Sequence, residues 1–137
     1  MFGYQMQIPT YTQLGLTLLA LAAGCGSAQQ VVCPDIAIRA VGVRVIDNAT
    51  GAPITSSTQI AWSRSGDDVA LTEHVPASYP DTSAFILEIV SAGSYQLIVS
   101  RAGYLNRNVS VNVASTGGPC PESVPVTLVV PLDRATP

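Results

Sequence analysis

His74 is the one imidazole in the chain, and Glu73 stands directly before it. A histidine beside a carboxylate is a minimal pair for general acid–base work. With Trp62 nearby in sequence, these residues outline a candidate small periplasmic hydrolase or ligand-carrier site at Trp62, Glu73 and His74. A serine triad would have to recruit His74 to a distant Ser and Asp, and no Ser stands in a nucleophile elbow. A zinc site would draw on Cys33, Cys120 and this single imidazole, a poor ligand set. Asp67-Asp68 after Gly66 lacks the run of oxygen ligands that a calcium loop uses, and it reads as a solvated turn. The residues therefore predict no catalytic set, no cofactor and no metal site.

The elements that would position these groups are strands. From Ile36 the pattern has period two: Ile36, Ile38 and Ala40, then Val41, Val43 and Val45 in the opposite phase. That shift predicts a bulge near Ala40–Val41 or a strand that changes sheets. Asp47-Asn-Ala-Thr-Gly51-Ala-Pro53 is dense in turn formers. Further strands are expected at Gln59–Ser65, Val69–Val75, Ala84–Val90, Tyr95–Ser100, Val109–Ala114 and Val124–Leu132. Pro76–Thr82 and Thr116–Pro121 read as loops, and the latter carries Cys120. No helical period runs through the chain after the leader. Short strands at regular spacing predict an all-β, seven-stranded antiparallel sandwich. Trp62, Phe85 and Tyr95 are the expected large core residues, with the Tyr95 hydroxyl near an edge. Arg39, Arg44, Arg101 and Arg107 are expected on its solvated face, and Glu73-His74 as an exposed pair.

Every charged residue lies beyond the first 34: six Arg and nine acids, with no Lys and a net charge of −3. Nucleic-acid binding needs a basic face, so that partner class is excluded. Leu14–Ala23 is an apolar run of about 10 residues, half of the ~20 that a bilayer-spanning helix needs. It fits the roughly 7–15 residues of a signal-peptide core. It ends in Leu-Ala-Ala-Gly-Cys25, which resembles the lipobox of bacterial lipoproteins. An ordinary secretory leader is the alternative. The resemblance implies a helical signal peptide at 1–24, a diacylglycerol on Cys25 and a short tether at 25–34. More than one acyl chain holds a protein stably on a bilayer. It also implies an extracytoplasmic cell-envelope location, with the outer membrane favoured in a diderm because no Asp follows Cys25. With Cys25 acylated, Cys33 and Cys120 remain as a pair for a disulfide in an oxidising compartment, two free thiols being the alternative. In a bacterial lipoprotein the glycosylation-like Asn48-Ala-Thr50 and Asn108-Val-Ser110 read as chance.

Val43-Arg-Val-Ile-Asp47-Asn-Ala-Thr-Gly51-Ala-Pro53 resembles the first hairpin of carboxypeptidase regulatory-like domains. Gly93-Ser-Tyr95-Gln-Leu97-Ile-Val99, followed by Ala102-Gly103-Tyr104, is similar to the Gly-x-Tyr and Gly-Tyr signature of the same family. The resemblance implies a transthyretin-like (prealbumin-like, Ig-like) sandwich over 35–133, with a tail at 134–137. An early and a late Cys, as Cys33 and Cys120 stand here, are frequent in its bacterial members. Gly51 and Gly103 are expected in turns that need positive φ. Ser63–Ser83 departs from the family's compact middle strands. Enzymes on related sandwiches require several His, or two His with two Tyr, and His74 stands alone. The resemblance implies a non-enzymatic envelope module that binds a protein or glycan partner.

Overall fold

A computed structural model describes residues 31–34 and 37–136. The leader at 1–24, Cys25, most of the 25–34 tether, and Ile36 lie outside the described residues. Seven strands follow in order: β1 Val41–Asp47, β2 Gln59–Arg64, β3 Leu71–His74, β4 Phe85–Leu87, β5 Gly93–Ser100, β6 Arg107–Val113 and β7 Val126–Leu132. Among the described residues there is no helix. The strands form two sheets, ordered β4-β1-β7 and β3-β2-β5-β6.

One expectation is corrected. The sheets are not wholly antiparallel, because β1 and β7 pair in parallel from Val41 opposite Val126 to Asp47 opposite Leu132. The reason is topological. The pairings, with the antiparallel bridges that join the ends of β6 and β7, put β1, β3, β5 and β7 in one direction and β2, β4 and β6 in the other. When the first and seventh strands become neighbours, they point the same way.

Alternation places the core. On β5, Tyr95, Leu97 and Val99 are buried between exposed Ser94, Gln96 and Ile98. Val41, Val43 and Val45 face them from β1 as part of one cluster with Ile60, Leu87, Val111, Val130 and Leu132. Each fully buried Leu or Ile contributes roughly 1.5–3 kcal/mol. The phase change at Ala40–Val41 marks where the regular strand begins. Ala40 is buried beside Val41, donating its N–H to the Ile89 carbonyl and accepting from the Val126 N–H, each at 2.7 Å.

Of the expected core aromatics, Tyr95 is buried, and its hydroxyl finds Ser91 at 2.8 Å. Trp62 and Phe85 are only half-buried. Trp62 pairs with Leu71, where β3 begins, and Phe85 lies on the short edge strand β4. Trp62 meets Tyr95 edge to face at 5.9 Å, and Phe85 meets Tyr79 at 5.6 Å.

Candidate functional site

The structure brings Trp62 and Glu73 together and turns His74 away. The Trp62 indole N–H donates to Glu73 Oε1 at 2.9 Å, and the Glu88 backbone N–H donates to the same oxygen at 2.8 Å. Glu73 is thus a half-buried clasp rather than an exposed pair with His74. It ties β3 to the chain just after β4, which is an edge of the other sheet. Strand alternation points neighbouring side chains to opposite faces. His74 therefore faces outward, where Ser57, Gln59, Ser100, Arg101 and Asn106 join it around an open cleft of about 520 Å³. Ser57 occupies the left-handed region at φ 58°, a strained conformation for a side-chain-bearing residue.

Arg101 is not on a strand face. It sits in the turn after β5, donates to the Ile54 carbonyl and lies 5.9 Å from the centre of the Tyr104 ring. Asp81 caps the neighbouring loop by accepting from the Ser56 N–H. Burial works to raise the Asp81 carboxyl, but the Ser56 hydrogen bonds and the Arg101 charge outweigh it and hold the group below its ordinary value. Arg39 precedes β1 and pairs with Glu88 at 2.8 Å, both exposed, an arrangement worth little. Arg44 is only half-exposed, and its Nε is buried with no partner among the described residues.

Among the described residues the most heavily bonded side chain is Asp47, at the end of β1 and 1% exposed. Oδ1 accepts the N–H groups of Ala49 and Thr50 at 2.9 and 3.0 Å, which shapes the turn. Oδ2 accepts the Tyr104 hydroxyl at 3.0 Å and Arg134 Nε at 2.8 Å. The Arg134 guanidinium, aided by Tyr104 and the two backbone donors, holds this carboxyl far below the ordinary carboxylate range against the opposing effect of burial. Gly51 and Gly103 take φ of 69° and 82° in the two turns that meet here, as the turn chemistry predicts. Both family-like motifs therefore converge on one clamp. Arg134, assigned to a free tail, is its third member, and Ala135 N–H bonds the Gly103 carbonyl at 3.0 Å. Sequence reasoning missed Arg134 because no periodicity marks a single residue after the last strand.

At the other end, Cys33 and Cys120 sit at disulfide distance, with Cα atoms 5.3 Å apart. They border a cleft of about 370 Å³ with Ile38, Val90, Pro121 and Glu122. Cys25 lies outside the described residues. Among the described residues, no group of three or more His, Cys, Asp or Glu is placed to hold a metal ion. No protein-family model matches this chain, and no curated protein is found similar to it.

Proposed function

We propose that this chain is a non-enzymatic, lipid-anchored module of the cell envelope that binds a protein or glycan partner. In this reading residues 1–24 are a signal peptide, Cys25 carries the lipid, 25–34 tether it, and the domain is of the carboxypeptidase regulatory-like, transthyretin-like type. The observation that carries it is the clamp on Asp47. The motif residues that suggest the family hold two turns and the chain end together, which is a scaffold's use of them. Two other acids are engaged likewise: Glu73 clasps Trp62 and Glu88, and Asp81 caps Ser56. A hydrolase centred on Trp62, Glu73 and His74 would need the carboxylate and the imidazole on one face of β3, and alternation puts them on two. The Cys33–Cys120 pairing suits an oxidising compartment.

Metabolic labelling with a radioactive fatty acid tests the anchor. The wild-type chain takes label into the membrane fraction, and Cys25→Ser does not. Crosslinking in intact cells then captures an envelope partner. A turnover that His74→Ala abolishes, with the fold intact by circular dichroism, would overturn the non-enzymatic reading.

A further inference from the structure

β6 and β7 are edges of different sheets. They are stitched at both ends. Leu105 N–H bonds the Asp133 carbonyl at 2.8 Å, and Val124 N–H bonds the Ala114 carbonyl at 2.9 Å. One antiparallel register fits both stitches, with Tyr104 opposite Arg134 and Ser115 opposite Ser123. Between them, among the described residues, no backbone hydrogen bond joins the two strands.

The direction of the backbone groups explains the gap. Ser65 N–H bonds the Ser94 carbonyl, so the even-numbered residues of β5 face β2 and the odd-numbered ones face β6. Through the β5–β6 register, Val109, Val111 and Val113 bond β5. Asn108, Ser110 and Asn112 therefore turn their N–H and C=O groups into the seam. On β7, Val126 N–H bonds the Ala40 carbonyl and the Leu132 carbonyl accepts Asn48 N–H, so even-numbered residues face β1. Thr127, Val129 and the Pro131 carbonyl face the seam. Pro131 stands where its missing N–H costs no ladder bond. In the stitched register Ser110 would meet Leu128, whose groups are committed to β1. Zipping the seam shut requires a one-residue slip that brings Ser110 opposite Val129, and that slip breaks the register stitched at both ends.

We propose that this seam is a docking groove for an extended polypeptide segment of a partner, uncharged at its centre and apolar at alternate positions. The inference rests on the module reading above and names its partner class. Both rims offer backbone donors and acceptors at every second residue, a repeat of about 6.8 Å that another extended backbone matches. A glycan has no such period. Val109, Val126 and Leu128 are half-buried against the core, and Val129 is 58% exposed on the β7 rim. From Asn108 to Val113 the edge carries none of the charges, prolines or bulges that guard edges elsewhere. Arg107 is the lone charge, at one end. The opposite seam, between β3 and β4, is already closed by Glu73 on the Glu88 N–H.

The test uses the full chain in detergent micelles and a seven-residue peptide of alternating threonine and valine. Residue-resolved amide exchange by NMR is followed as the peptide is added. Exchange slows at Asn108, Ser110, Asn112, Thr127 and Val129 and stays unchanged at Val109 and Val111. A peptide N-methylated on its rim-facing amides binds at least roughly tenfold more weakly. Ser110→Pro, which removes a seam donor and no β5 bond, weakens the unmodified peptide similarly. Asn112→Lys supplies an edge guard without a backbone constraint and does the same. Protection at Thr72 and His74 instead, equal binding of the N-methylated peptide, no protection at any of these amides, or seam protection without peptide in a dimer of the chain would each overturn the groove. None of these outcomes touches the fatty-acid label or a turnover assay, so a failed groove leaves the module reading standing.

Discussion

Replacing both Cys33 and Cys120 by Ser removes the covalent tie between the two ends of the domain. The two residues are 87 apart in sequence. On the chain-entropy relation, closing a loop of that length removes about 15 cal/mol/K from the unfolded ensemble, or about 4.6 kcal/mol at 25 °C. For a domain of roughly 100 residues, 1 kcal/mol moves Tm by about 5 °C, so the double variant should melt roughly 20 °C lower. Urea titration should show the midpoint falling and the slope rising, because the untied chain exposes more surface when unfolded. Differential scanning calorimetry under non-oxidising conditions measures the first, and circular dichroism the second. A Tm within about 3 °C of wild type would refute the reasoning. It would mean that the stretch before β1 opens alone, and that the bridge closes a loop that is not part of the cooperative unit.

The Asp47 carboxyl is depressed in the fold from its ordinary 3.8. The clamp's stabilisation is thus fully present above about pH 4–5 and is lost as pH falls below the ordinary value toward the folded one. Asp47→Asn should be less stable than wild type at pH 7, and the difference should shrink in acid unfolding followed by circular dichroism. A constant difference down to pH 2 would contradict the assignment. At Gly103, φ is 82° with open space where a Cβ would stand, so Gly103→Ala meets backbone strain and no clash. It should cost about 1–2 kcal/mol in urea denaturation, and a neutral result would show that the turn relaxes freely.

Strand identity was legible because alternation is a local property. Every expected strand has a counterpart, from the Val-rich run of β1 to the Val-rich run of β7. Strand direction was not legible, since the parallel pairing of β1 with β7 depends on which sheet each later strand joins. The turn glycines could be read because Gly51 and Gly103 follow a chemistry that needs only neighbours. The third partner of Asp47 could not: Arg134 lies 87 residues downstream in no pattern at all. Glu73 and His74 are adjacent in sequence, which suggested joint action, and the pleat separates them. The seam between β6 and β7 was invisible for a related reason. Which way a backbone amide points depends on its ladder partner, and side-chain type does not record it.

The parallel pairing of the first and last strands has a consequence for synthesis. β1 is the centre of its sheet, and one of its two neighbours is β7. A ribosome delivers β1 early, yet its flank stays bare until Val126–Leu132 has emerged. The domain therefore cannot lock into its final form until that strand is available. A premature stop anywhere before Val126 would strip a whole side from the central strand and take Arg134 from Asp47 as well. Arrival of β7 acts as the trigger for closure of the domain.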